Sequence, residues 1–337
     1  MDTSKNLRES LNWFLSSKSM ILDIEGSWRV EMFSRLLTNN FKNMNIENHK
    51  LMSKTISAKK FNLQDLNSLV RPFFNELIDY TNEHLNQYLD SFIIHGSYSD
   101  QSYKIGWSDL DTFIVVNADT CLNYDKLIKL RKHLLYLSKI LYKIDALCHH
   151  EFIIYSTFDI KNYKNFMPIE ALKNAKYILN NSKELEFKIT KQDINQAKQN
   201  FINRCQVILD FCENGLLKHH RYKGKFLNKN IRKYPNRMYQ LKYLLSNIMT
   251  LPAYYLEAKG YPCYKGDSFN LCKNDFINNW TIVDKCSNIR DKWDSKEKFP
   301  FLNNKISNWI IDTLDINYHN ELRDLTTKML IKLEHDE

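Results

Sequence analysis

The spacing of hydrophobic and polar positions changes along the chain. Over 1–90 apolar side chains recur at helical spacing, first Leu7, Leu11 and Phe14, then Val30, Phe33, Leu36 and Leu37, which predicts helices. Pro72 suits the first turn of a further helix carrying Phe74, Leu77, Ile78 and Tyr80, because the amide that proline lacks would have no partner there. From Ser91 the pattern shifts. The segments 91–95, 110–116 and 152–155 are short and rich in Ile, Val and Phe, as buried strands are. Between the last two, Leu127, Leu130, Leu134, Leu137 and Leu141 trace one stripe of a helix. Strand, loop, strand, helix, strand describes a small mixed sheet. After Tyr155 the strand signal fades, and 193–217, 238–258 and 305–333 carry helical periodicity, interrupted near Pro235, Gly260-Tyr261-Pro262 and Phe299-Pro300. The pattern predicts an α+β fold in three parts: an N-terminal helical extension over 1–90, a small mixed-sheet α/β domain over 91–190, and a C-terminal helical bundle over 191–337. The boundary before the bundle is placed in the polar stretch Asn180-Asn181-Ser182-Lys183.

Composition removes several function classes. None of the seven glycines forms GxGxxG or GxxxxGK[ST], which excludes Rossmann and P-loop sites. Seven cysteines without a CxxC pair speak against a disulfide framework and a structural zinc site, and fit a reduced, cytoplasmic setting. Apolar runs stop at four or five residues, as in 112–116, far short of the ~20 needed to span a bilayer. Asp2 and the Asn-Trp-Phe-Leu stretch are unlike a signal peptide. The net charge of +9 comes from 48 Lys and Arg against 39 Asp and Glu, and its distribution is uneven. Nine cations (Lys218, Arg221, Lys223, Lys225, Lys229, Arg232, Lys233, Arg237 and Lys242) and no acid lie within 214–242, so the remaining 39 basic residues balance the acids.

The chemistry concentrates at Ile93-Ile94-His95-Gly96-Ser97, followed after eleven residues by Asp109-Leu110-Asp111 and the apolar run to Val116. A strand ending in Gly-Ser offers a tight turn, amide N–H groups and a hydroxyl suited to phosphate. Two aspartates two apart at the head of a strand fall on one face by alternation, and two carboxylates so placed call for a cation between them. Mg²⁺ held by one or two carboxylates plus substrate phosphates is the expected occupant, with Mn²⁺ as its substitute. His95 reads as a packed strand residue.

This combination resembles the nucleotidyltransferase superfamily of DNA polymerase beta, whose signature is hydrophobic-Gly-Ser, a spacer of about ten residues, and Asp-x-Asp. It is most similar to bacterial nucleotidyltransferase-domain proteins with a Ser-Asp-Leu-Asp-Thr form of the motif, here Ser108 to Thr112. The likeness covers 91 to about 179, and continues weakly into Leu251-Pro252-Ala253-Tyr254-Tyr255-Leu256 and Tyr264-Lys265-Gly266-Asp267-Ser268-Phe269. The resemblance implies transfer of a nucleoside monophosphate from a nucleoside triphosphate, such as ATP, to a small-molecule, protein or RNA acceptor, with release of pyrophosphate. Gly96, Ser97 and Ser108 would hold the nucleotide, and Asp109 and Asp111 would ligate two Mg²⁺ ions. The family's third carboxylate falls to Glu151 first, with His150 and Asp145 as competitors, and His149-His150 as acceptor-side base or strand-edge pair. Tyr98, Asp100 and Gln101 stand where many relatives carry a small residue and an Arg-Gly pair, so contacts there do not carry over. Without a working third carboxylate the same fold would be a catalytically silent nucleotide-binding or regulatory module; a tRNA-modifying, toxin-type nucleotidyltransferase is a further variant.

The basic segment has three readings: a solvated face, triphosphate binding, or RNA binding through cations interleaved with Tyr222, Phe226, Tyr234 and Tyr239. Lys242 is its best single phosphate ligand, and Lys265 a second candidate outside it. Nine charges exceed what one nucleotide requires, which favours an anionic acceptor.

Overall fold

A computed structural model of the chain describes residues 3–24, 26–44, 52–145, 151–163, 167–179, 184–189, 194–218, 226–231, 238–296 and 306–335. His149, His150 and the expected boundary stretch 180–183 lie outside the described residues. The chain divides into two compact units, one of 1–103 with 108–191 and the other of 104–107 with 192–337. The first unit therefore takes in both the helical N-terminal stretch and the α/β segment.

In chain order the first unit contains α1 (Thr3–Leu15), α2 (Ile21–Ile24), α3 (Ser27–Lys42), β1 (Met52–Ser57), β2 (Lys59–Lys60) and α4 (Arg71–His84). There follow β3 (Leu89–His95), β4 (Asp111–Val116), α5 (Ala118–Cys121), α6 (Tyr124–Ile144), β5 (Ile154–Ser156), α7 (Thr157–Lys161), β6 (Lys176–Tyr177) and β7 (Glu184–Ile189). Five strands form a mixed sheet in the order β2-β6-β3-β4-β5. The β3–β4 pair is antiparallel and β4–β5 parallel, as a crossover through a helix such as α6 requires. β3 and β4 are buried almost throughout, which is why their sequences are continuous apolar runs rather than alternating ones. A second, two-stranded sheet pairs β1 with β7. Both fall in stretches whose strand signal the apolar runs do not carry; in β7 the signal is the strict alternation of Leu185, Phe187 and Ile189 with Glu184, Glu186 and Lys188, and Phe187 packs fully buried against Phe113 and Tyr163.

The N-terminal helices are tied to this sheet by polar anchors. Asn12 on α1 donates from Nδ2 to the Ile154 carbonyl (2.5 Å) and accepts the Ile154 N–H at Oδ1 (3.0 Å), pairing with both backbone groups of one residue on the edge strand β5. Arg131 on α6 is almost wholly buried; it holds Asp23 through two N–H groups (2.7 and 3.1 Å) and donates to the hydroxyl and carbonyl of Ser19 (both 3.1 Å).

In the groove between α4 and α6, His133 accepts or donates at Nδ1 to the Tyr80 hydroxyl (2.9 Å) and stacks on His84, with Tyr88 and Tyr136 completing the cluster and Glu83 beside His84. Burial, and then the neighbouring His84, hold the imidazole of His133 below its ordinary pKa; burial, then Lys229 and Arg323, do the same to His319. A histidine with a depressed folded pKa contributes full stability above the unfolded value of about 6.5, and loses it as pH falls through that value because the unfolded chain then binds the extra proton. The urea midpoint is therefore expected to be lower at pH 5.5 than at pH 7.5, with His133→Gln flattening part of that dependence. An unchanged slope in His133→Gln would sink the assignment.

The second unit contains α8 (Ile194–Asn214), β8 (Leu216–Lys218), β9 (Phe226–Asn228), α9 (Met238–Ala258), α10 (Lys265–Lys273), α11 (Thr281–Lys296), α12 (Asn308–Leu314) and α13 (Tyr318–His335). Its core gathers Phe201 and Phe211 of α8, Leu241, Leu245 and Ile248 of α9, Trp293 of α11 and Leu322 and Met329 of α13. Trp107 belongs to the same core and packs on Trp293 at 5.0 Å. The helical reading of this half stands, with one addition: β8 and β9 form a short antiparallel hairpin. No helix among the described residues is long and apolar enough to cross a membrane.

Candidate functional site

The end of β3 sets the geometry. His95 is the direct cross-strand partner of Asp111, the first residue of β4, so the two side chains share a face of the sheet and stand about 5 Å apart at Cβ. Gly96 follows with φ +67°, in the left-handed region that side chains other than glycine enter at a cost. A methyl built on Gly96 would overlap Asp111 Oδ2 and come within 3.3 Å of its Cγ. The Asp111 carboxylate is thus seated directly over the bare Cα of Gly96, and glycine is needed there twice over, for conformation and for space.

The chain then turns over 96–98, closed by bonds from Ser99 N–H (3.0 Å), Ser99 Oγ (2.8 Å) and Asp100 N–H (3.2 Å) to the Gly96 carbonyl. Tyr98 is not available to a substrate: it is buried, stacked on Tyr103 at 4.5 Å and packed on Phe74 at 5.1 Å. The Tyr103 hydroxyl accepts the Asn67 N–H at 2.6 Å. These contacts hold the loop from within, so that Ser97, half-buried at its turn, follows Gly96 in a defined place. Ser108 is buried, while Asp109 and Asp111 are half-buried. β4 opens at Asp111, so Asp109 belongs to the segment that leads into it rather than to the strand itself. The residue between them, Leu110, is fully buried, and its N–H is accepted by the carboxylate of Asp145 at 3.2 Å.

Glu151 goes elsewhere. Continuing the β4–β5 register from Ile114 with Ile154 would bring Glu151 level with Asp111. Instead Glu151 has φ +53°, and its carboxylate accepts the Ser17 N–H (2.9 Å), the Ser17 hydroxyl and the Tyr142 hydroxyl (3.3 Å). Both oxygens serve the N-terminal helices and α6. Among the described residues no group of three or more His, Cys, Asp or Glu side chains is placed to hold a metal ion, so Asp109, Asp111 and Glu151 do not converge as a three-carboxylate ligand set.

Lys242 and Lys265 belong to the second unit. Lys242 is buried, 5% exposed, on α9 beside the core residues Leu241 and Leu245; Lys265 opens α10 and is exposed. Within the basic segment, Lys229 is committed to structure. Its ammonium donates to the Cys212 and Glu213 carbonyls (both 2.9 Å) at the end of α8, and its stem covers Gly215, whose φ is +82°. A cation there satisfies the last carbonyls of the helix and complements its dipole. Arg221, Lys223, Lys225, Arg232, Lys233 and Arg237 lie outside the described residues, so the RNA and triphosphate readings of this segment rest on the sequence.

Sequence reasoning had no signal for Ser17 as the partner of Glu151, because it reaches Glu151 across a long stretch of chain; Asp145, a competitor for the third carboxylate in the sequence reading, is found accepting the backbone N–H of Leu110. Comparison with known protein families, with curated proteins and with solved structures finds no match for this chain.

Proposed function

We propose that the Gly96-Ser97 turn and the Asp109-x-Asp111 pair form a nucleoside-triphosphate site that works with Mg²⁺, and that the chain transfers a nucleoside monophosphate to an acceptor with release of pyrophosphate. The observation that carries this reading is the seat of the Asp111 carboxylate over Gly96, which couples the phosphate-binding turn to the cation-binding residue at one point. The donor set fits the ion: two carboxylates, with phosphate and water oxygens completing the shell, suit Mg²⁺, which keeps part of its hydration. When bound, the ion supplies charge neutralisation of the phosphates and polarisation of the bond to be broken. The chain's own residues do the rest. The turn at Gly96 offers backbone N–H groups to anionic oxygens, and Ser97 adds a hydroxyl donor. Asp109 and Asp111 would hold the cation against the phosphates so bound.

One observation favours a second reading, a nucleotide-binding module without transfer activity: the carboxylate first in line for the acceptor side, Glu151, is engaged by Ser17 and Tyr142. The two separate in one experiment. The chain is incubated with each of the four radiolabelled nucleoside triphosphates, Mg²⁺, and in turn tRNA, protein lysate or a small-molecule extract. Pyrophosphate release with label passing to one fraction supports transfer, and Asp111→Asn is expected to reduce it by about 100-fold or more. Nucleotide binding with no release under any condition supports the silent module, and no binding at all removes both readings.

A further inference from the structure

The two aspartates read above as the cation site have a third carboxylate behind them. Asp145 closes α6, its N–H bonded to the Leu141 carbonyl at 2.8 Å. Asp145 as a whole is 3% exposed, and its Oδ2 accepts the N–H of Leu110 at 3.2 Å. Leu110 is the residue between Asp109 and Asp111, with its own side chain fully buried. The amide that Asp145 receives belongs to the peptide joining Asp109 to Leu110. Because that peptide is planar, an acceptor fixed on its N–H sets the rotation of the plane, and with it the direction in which Asp109 leaves the backbone relative to Asp111. On the other side, Asp111 is held at the head of β4 by its pairing with His95 and by its seat over Gly96. A buried carboxylate must find donors; this one takes the N–H of Leu110, the residue between the two proposed ligands.

We infer that Asp145 is a positioning residue, holding the Asp109-Leu110-Asp111 backbone in the conformation in which both flanking carboxylates serve one divalent cation, without itself touching the ion. The inference rests on the reading of that pair as a cation site. Outer partners that orient ligands in this way are worth about 10- to 100-fold in metal affinity.

The test is a Mn²⁺ titration of the full chain followed by electron paramagnetic resonance, with circular dichroism and urea unfolding as checks of the fold. Asp145→Ala is expected to weaken Mn²⁺ binding about tenfold or more, while Asp145→Asn, whose amide oxygen accepts the same N–H, restores most of it. Should Asp145→Ala fail to fold, Asp145→Ser, shorter than the reach to Leu110, takes its place. Equal Mn²⁺ affinity in the unsubstituted and alanine proteins overturns the positioning role and leaves the cation site standing. An asparagine variant as weak as alanine also overturns it, since an acceptor for the Leu110 N–H would then be present without restoring the site. Absence of Mn²⁺ binding in the unsubstituted chain overturns the cation site and the positioning role together.

Discussion

Gly96→Ala is expected to abolish divalent-cation binding while leaving most of the chain folded. The backbone at φ +67° costs an alanine about 1–2 kcal/mol. The new methyl also meets a side-chain carboxylate rather than backbone, and a carboxylate yields by rotating about its own bonds. Asp111 therefore leaves its seat before the sheet gives way. The control is Gly260→Ala: Gly260 has φ +83°, but the nearest atom to an added methyl is Ile194 Cδ1 at 3.6 Å, an ordinary contact. That variant bears the backbone cost alone. Mn²⁺ affinity and urea midpoint measured on both separate the two effects. Full cation affinity in Gly96→Ala would show that the seat of Asp111 is immaterial to the site.

Arg131→Met is expected to destabilise the chain by about 3 kcal/mol. The guanidinium is 3% exposed and makes two bonds to Asp23 and two to Ser19. Methionine keeps much of the volume and the contact with Phe14 but removes every donor. Ser19 is fully buried, so its carbonyl and hydroxyl lose a partner that water does not replace, at about 1–3 kcal/mol. Asp23 keeps 48% exposure, which limits its share to less than the 3–5 kcal/mol of a fully buried broken pair. The loss should appear as a shift of the urea midpoint with an unchanged slope. A change below about 1 kcal/mol, the worth of an exposed ion pair, would mean that α1 and α2 are not held through this residue.

What could be read in the sequence followed from how locally each feature is encoded. β3 and β4 were legible because a strand covered on both faces is a continuous apolar run. The stripe on α6 was legible because its leucines repeat at helical spacing. β2 and β6 are two residues each, too short to carry any period. β1, Met-Ser-Lys-Thr-Ile-Ser, has one face open and little hydrophobic content, and its partner β7 lies more than a hundred residues away. The site divides in the same way. Gly96 and Asp111 are recognisable because a turn and a strand head sit in one motif. Glu151 was placed by the family resemblance, as the carboxylate that begins the third strand, and what redirects it is a backbone angle and a serine 134 residues earlier. Lys242, singled out for its charge, lies buried; the polar character of a residue says nothing of its depth when its helix neighbours are leucines.

The amide of Asn12 has a wider meaning than anchorage. β5 is three residues long and ends the five-stranded sheet; at Ile154 both of its outward backbone groups are taken by one side chain. A single asparagine thus imitates the rung of a sixth strand, presented by a helix that cannot itself extend the ladder. The sheet is closed at that margin without further strand, and the groups through which one copy of the chain would template another are already spoken for. On this view the first helix is as much a guard against misassociation as a part of the core.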